Sequence, residues 1–229
     1  MSLRTGQSTT AGRRRIAATA GVLVVVWALI LGAVIAFGWL ITHPLQSSVE
    51  PWDDDISRWF ADQRSGSLDG PADVGTFLGD TIPAMSLLAV VAIGFAMWRR
   101  SWLPVVFVGV LVVGMGGFYA LATRVDPRDR PPVKILDPGL VPDASFPSGH
   151  VGTATAVYVG IAVLAWVYAP ATRRWVWVLV ALPFVVLLAR LYQGAHHLTD
   201  VLTSLTYASV WLAVLYVLVL RGHGPEKSA

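Results

Sequence analysis

Two short stretches of this chain carry residue types that could run a reaction. Phe146-Pro147-Ser148-Gly149-His150 is one, and Arg190, His196 and Asp200 make up the other. Both fall where a long apolar run meets a polar loop, a place where a membrane protein can gather ionisable side chains without exposing them to lipid. Arginine matches phosphoryl oxygens in geometry as well as charge. A helix starting near Ser148 or Gly149 would also offer free backbone N–H groups to an anion. A phosphate is the substrate these parts fit. His196 and Asp200 are four residues apart, so on a helix beginning near them they share a face and the carboxylate can hold one imidazole nitrogen. That would fix the tautomer and leave the other nitrogen free to attack. His150 could then protonate the leaving oxygen. Taken singly, each residue has a plainer reading: an interfacial histidine, an arginine snorkelling to headgroups, a Pro-Ser-Gly turn and cap. Their joint placement at membrane boundaries on one side favours the chemical reading.

The composition says what must position them. Of 229 residues, 55% are hydrophobic and only 14% charged, outside the usual range of a soluble domain. Runs long enough to cross about 30 Å of hydrocarbon predict an all-α, polytopic membrane protein. The expectation is a six-transmembrane-helix bundle with spans near 16–41, 81–98, 102–122, 149–168, 175–192 and 198–220. Together they make one domain over 16–220, between a disordered cytosolic tail at 1–15 and a second tail at 221–229. Arg13-Arg14-Arg15 precede the uncharged run Ile16 to Ile41. That run exceeds a signal-peptide core of about 7–15 residues and no small-x-small site closely follows it, so an uncleaved first span is expected. Between Thr42 and Asp80, Ile56, Trp59 and Phe60 fall at helical spacing and predict a short surface helix after the first span. Asp53-Asp54-Asp55 reads as the solvated face of that helix, since three adjacent carboxylates on a helix cannot converge on one cation.

Charge sets the expected orientation. Segments on the amino-terminal side of the membrane hold Arg13-Arg14-Arg15, Arg99-Arg100 and Arg173-Arg174, with Glu226 their only acid. The positive-inside rule then puts both termini in the cytosol and both motif stretches outside. The net charge of +3 is spread over loops and not gathered in one stripe, so topology accounts for it better than nucleic acid does. The chain has no cysteine, which excludes disulfides and thiolate nucleophiles.

In motif and layout the chain resembles the type 2 phosphatidic acid phosphatase superfamily of membrane lipid phosphatases. The second motif of that family, Pro-Ser-Gly-His, is complete at Pro147 to His150. Its third, Ser-Arg, five residues, His, three residues, Asp, is met at Arg190, His196 and Asp200, with Ala189 in place of the serine. Its first, Lys, six residues, Arg-Pro, is partial: Arg130-Pro131 match, and Thr123 stands at the lysine position with Arg124 beside it. The resemblance implies that His196 attacks phosphorus and forms a phosphohistidine, that Asp200 orients it, and that His150 is the general acid. It implies that Arg130, Arg190, Ser148 and the Gly149 N–H hold the nonbridging oxygens. Arg124 or Lys134 would replace the lysine, and Arg128 would either touch phosphate or pack the loop. No metal or other cofactor is implied, and no compact carboxylate cluster offers a site for one. The expected partners are a lipid phosphate and the bilayer. Polyprenyl diphosphate is favoured among the substrates, with phosphatidylglycerophosphate and phosphatidate as alternatives. A lipid phosphotransferase and a non-catalytic anionic-lipid binder or transporter are the competing functions.

Overall fold

A computed structural model describes residues 5–222 of the chain, with side chains from residue 12 onward. Six of its helices are long and apolar enough to cross a membrane: Gly12–Thr42, Thr81–Arg99, Leu103–Val125, Gly149–Tyr168, Pro170–Tyr192 and Leu198–Leu220. The chain is therefore an all-α, multi-pass membrane protein. In chain order the helices are α1 (Thr5–Thr42), α2 (Gln46–Asp62), α3 (Gly66–Phe77), α4 (Thr81–Arg99) and α5 (Leu103–Val125). They continue with α6 (Gly149–Tyr168), α7 (Pro170–Tyr192, whose first turn is 3-10) and α8 (Leu198–Leu220). Helix already begins at Thr5, inside the expected amino-terminal tail, while residues 1–4 and most of the carboxy-terminal tail lie outside the described residues.

Two helices, not one, fill the segment after the first span, because the turn around Gln63 to Ser65 breaks it. That turn is tied to the end of α7: Arg64 Nε donates to the Tyr192 carbonyl at 3.0 Å, and the Tyr192 hydroxyl donates to Asp69 at 2.7 Å. Helix α3 then lies so close to α7 that a Cβ on Gly75 would fall 2.7 Å from the Ala189 Cβ. Small residues at such crossings let backbones approach closely.

The central helix is α6. Val151, Ala154, Ala156, Val157 and Leu164 along it are fully buried, as are Leu88 of α4, Leu111 and Phe118 of α5 and Leu215 of α8. Trp211 of α8 and Trp27 of α1 both seat their indoles against glycines of α5, at Gly114 and Gly117. Helix α6 passes through a π turn at Thr155–Val159, directly below its motif end. A single extra residue in such a turn shifts the helical phase of everything above it.

Between α5 and α6, residues 126–148 form a loop held by backbone pairing. Arg128 N–H donates to the Asp143 carbonyl at 3.0 Å, and Ser145 N–H returns a bond to the Arg128 carbonyl at 3.0 Å. This closure places Arg128, Arg130 and Ser145 over the amino-terminal end of α6.

Candidate active site

The chain positions of the two motif stretches translate into one cluster. It is formed by the start of α6, the end of α7, the start of α8 and the loop closing over them. Ser148 caps α6, its Oγ accepting from Val151 N–H at 3.5 Å, and is completely buried. The N–H groups of Gly149 and His150, at the first turn of the helix, have no intrahelical acceptor and point out of its end.

Arg190, in the last turn of α7, is also completely buried. Its Nη1 donates to Asp137 Oδ2 at 2.7 Å and to Gln193 Oε1 at 3.0 Å. Among the described residues, its Nε and Nη2 have no partner. Two unmet charged donors in a buried place are costly unless a ligand meets them.

His196, 3% exposed, lies in the short link before α8. Its Nδ1–H donates to the Ser145 carbonyl at 2.7 Å, which leaves Nε2 as the nitrogen with the lone pair. Burial, and after it the charge of Arg190, push the His196 pKa well below its ordinary value, and Arg130 adds to this. The ring is therefore neutral at physiological pH, as a nucleophile must be.

Asp200 stands 3.9 Å from His196 Nδ1, beyond hydrogen-bond reach. Its oxygens accept instead from Arg128 Nη1, from Ser145 Oγ at 2.5 Å and from the His197 N–H at 2.9 Å. The expected direct hold of Asp200 on His196 is thus replaced by a relay. The carboxylate grips the Ser145 hydroxyl, and the Ser145 carbonyl grips the ring. Helical spacing brings the two side chains to one face, but the loop inserts a residue between them. His197 is the cap of α8, wedged between Asp54 at 3.3 Å and Asp200 at 3.4 Å.

His150 Nε2 lies 3.1 Å from Asp80 Oδ1, so a carboxylate at the cap of α4 orients the ring of the expected acid. Gly79 makes this contact attainable, since any Cβ there would sit 3.0 Å from the His150 Cβ.

The arginines of the loop divide. Arg130 spends its guanidinium on the carbonyls of Val141, Ala144 and Ala195, and so braces the link that carries His196. Burial, then the neighbouring Arg190, push its pKa down. Arg128 is not placed for substrate: it bonds Thr199, Asp200 and Asp53, and is buried among them. Burial works against its charge, but the carboxylates of Asp200 and Asp53 outweigh this and hold its pKa above the ordinary value. Arg124 is exposed and donates to the Ala120 carbonyl on its own helix, and the Lys134 side chain is exposed with no hydrogen bond among the described residues. Neither takes the place of the lysine. Thr123 does not either, because its hydroxyl donates to the Tyr119 carbonyl at 2.8 Å.

The acidic run on α2 corrects an expectation. Asp55 is exposed and pairs with Arg58, but Asp53 is fully buried, accepting from Arg128, Thr199 Oγ1 and Thr199 N–H. One turn on, Ser57 is buried on the same face. The run is half solvated face and half structural ion pair. Sequence reasoning also missed Ser145, Asp80, Asp137 and Gln193. Asp80 alone had a signal, as an acid standing just before an apolar span.

A helical membrane bundle with two histidines and a buried arginine, partly unpartnered among the described residues, at one end has the parts that handling a phosphoryl group needs. Comparison with known proteins narrows the reading. The family model described as the PAP2 superfamily matches residues 103–223. The chain is 34% identical over 148 residues to the decaprenylphosphoryl-5-phosphoribose phosphatase of Mycolicibacterium smegmatis (strain ATCC 700084 / mc(2)155), covering 62% of this chain and 73% of that protein. Its fold is similar to that of a transmembrane PAP2-type phosphatidylglycerolphosphate phosphatase from Bacillus subtilis. The TM-score is 0.61 at 23% identity, covering 86% of this chain and 92% of that one. The chain belongs to the PAP2 superfamily and is a phosphatase of that type.

Proposed function

We propose that this phosphatase hydrolyses a lipid phosphate at the outer face of the cytoplasmic membrane through a phosphohistidine on His196. The observation that carries the reading is Arg190: a fully buried guanidinium with two donors unpartnered among the described residues, beside a histidine whose free nitrogen is Nε2. A phosphoryl group meets those donors, and the α6 N–H groups add to them on the same anion.

In the first step His196 Nε2 attacks phosphorus, the P–O bond to the lipid breaks in line, and His150 gives its proton to the departing oxygen. In the second, water attacks the phosphohistidine, His150 takes a proton from it, and the P–N bond breaks to release phosphate and neutral His196. Arg190 and the start of α6 bind the oxygens on which charge builds up in both transition states. Asp200, Ser145 and Arg130 hold the ring and its link in place without touching phosphorus. No step calls for a metal.

The outer-face placement rests on the arginine pairs at the opposite ends of the spans. A polyprenyl lipid is favoured because the curated relative is named for a decaprenylphosphoryl substrate. The test is phosphate release from polyprenyl and glycerol lipid phosphates by purified protein in excess EDTA. Vanadate, which mimics five-coordinate phosphorus, is expected to inhibit, and His196→Ala to abolish turnover. A phosphotransferase would instead pass the phosphoryl group to an added alcohol. Full activity in His196→Ala would sink the mechanism.

A further inference from the structure

Helix α2 has three faces, and the reaction centre uses only one of them. On that face Asp53 and Ser57 are buried. Asp53 accepts from Arg128 Nη2 at 2.9 Å, from the Thr199 N–H at 3.2 Å and from the Thr199 hydroxyl. Arg128 in turn bonds Asp200, so α2 braces the start of α8 and the link that carries His196. Glu50 and Asp54 lie about 60–100° to one side of Asp53, at about 100° per residue. With Gln46 they line a polar cavity of about 440 Å³ under the loop that carries Arg128 and Asp143. Trp52 and Trp59 lie about 100–120° to the other side, in one row with the cap residue Leu45. These three are 51%, 57% and 45% exposed, and the partly buried Val49 and Ile56 fill the strip between the row and the buried face.

We propose that this uncharged row is a lipid-contact surface. It lies in the leaflet on the side of the reaction centre, and its hold on the bilayer keeps Asp53 against Arg128, so that turnover depends on the membrane even for a substrate that is not a lipid. The contact is independent of how the phosphatase works, whereas the coupling rests on the reading of His196 above.

Lipid is the occupant for three reasons. The first is place: α1 ends at Thr42, and the Leu45 N–H donates to the Leu40 carbonyl at 2.9 Å, so the row begins where the exposed Trp39 and Leu40 of the first span leave off. The second is direction. The acidic flank opens on the polar cavity, and the apolar flank, about 180° from it, turns away. The third is composition, since tryptophan suits a boundary with one side apolar and the other wet, and a helix apolar along one flank and charged along the other lies in the interface plane.

The row is also tied to the site. Trp59 meets Phe60 edge-to-face with ring centroids 4.9 Å apart, and Phe60 packs on the core. Asp53 directly follows Trp52, and a helix turns as a unit, so a roll of α2 that lifts the row from lipid shifts the carboxylate that Arg128 needs.

The chain has no cysteine, so single labels can be placed at will. Spin labels on Leu45→Cys, Trp52→Cys and Trp59→Cys, in protein reconstituted into phosphatidylcholine vesicles, are expected to be relaxed by oxygen and shielded from a water-soluble nickel chelate. A label on Asp55→Cys, on the far side of the helix, is expected to show the reverse. Nickel access at the row equal to that at Asp55→Cys puts the row in water, and shielding from both relaxants puts it under a second copy of the chain; either overturns the contact. The coupling is read from kcat/KM on p-nitrophenyl phosphate in the same vesicles. The joint substitution Trp52→Gln with Trp59→Gln is expected to lose about tenfold, the scale of one hydrogen bond to a charged group, while melting in detergent near the wild type. Trp52→Phe with Trp59→Phe, which keeps the apolar surface, is expected to retain wild-type turnover. No loss in the glutamine pair, or an equal loss in the phenylalanine pair, overturns the coupling. Absence of turnover in the wild type as well overturns the coupling together with the catalytic reading, and the labels still decide the contact.

Discussion

His196 is held by Ser145: its Nδ1–H donates to the Ser145 backbone carbonyl at 2.7 Å, while the Asp200 carboxylate stands 3.9 Å away and bonds the Ser145 hydroxyl instead. A main-chain carbonyl cannot be removed by substitution, so the orientation of the nucleophile is built into the loop. Losing Asp200 should therefore cost less than losing the nucleophile. In single-turnover phosphate release, Asp200→Asn is expected to slow the reaction by about 10–100-fold, through a disturbed buried network. Ser145→Ala should cost less, about 5–10-fold, the scale of one hydrogen bond. An Asp200→Asn loss as complete as that of His196→Ala would show that the carboxylate acts on the ring directly.

The bundle itself was legible, because six apolar runs of spanning length admit few other readings. The motifs located His150, Arg190 and His196 as well, since their spacing fixes their place at helix ends. Hidden from the sequence was which of several like residues faces inward. Asp53, Asp54 and Asp55 are chemically alike, and only the phase of α2 against α8 buries the first and exposes the third. Arg124, Arg128 and Arg130 are spaced too closely for pattern to separate them. The pairing of Arg128 with Asp143 across the loop turns one arginine to Asp200 and another to the carbonyls beside His196. Asp137 sits in a stretch with no periodicity, and nothing in its neighbours foretells its contact with Arg190.

Arg128 bridges Asp53 and Asp200, both fully buried. Removing it leaves two uncompensated carboxylates close together, so Arg128→Ala should destabilise the protein by about 3–5 kcal/mol. Thermal melting in detergent checks this. Arg190→Lys keeps the charge and loses the fork, so it should melt near the wild type while its kcat/KM falls.

The depressed pKa of His196 fixes the acid side of the pH profile. A histidine whose folded pKa lies below about 6.5 stays neutral until the pH falls through that lower value, so the acid limb of kcat/KM should lie below pH 6.5. Folding linkage has the same sign. The unfolded chain binds the proton more readily, so stability falls as pH drops from about 6.5 toward the folded value. Since Arg130 contributes to the shift after burial and Arg190, Arg130→Gln should move the limb upward. A limb that stays put would mean that burial and Arg190 account for the shift alone.

If His150 is the acid, its loss should matter in proportion to how poor the leaving group is. General-acid catalysis contributes about 10²–10⁴-fold, and a leaving group that departs unprotonated has no use for it. His150→Ala is therefore expected to lose about 10³-fold on an alkyl lipid phosphate and far less on p-nitrophenyl phosphate under single-turnover conditions. Equal losses on both would assign His150 to binding.

Thr123 stands where the family lysine would be, yet its hydroxyl is tied to the Tyr119 carbonyl on the same helix. The Tyr119 ring lies against Gly149, its Cε2 3.2 Å from where a Cβ would be, so the aromatic body covers the start of α6 one turn from the lysine position. Thr123→Ala is therefore expected to leave kcat/KM within about threefold, less than one hydrogen bond of effect. Arg130→Ala frees the Ala195 carbonyl next to His196 and the loop carbonyls of Val141 and Ala144, and should cut it by at least about 10²-fold. Tyr119→Ala, which uncovers Gly149, should fall between them, chiefly by raising KM. Equal losses in Thr123→Ala and Arg130→Ala would return Thr123 to the phosphate, and its hydroxyl would then have to leave Tyr119 whenever substrate binds.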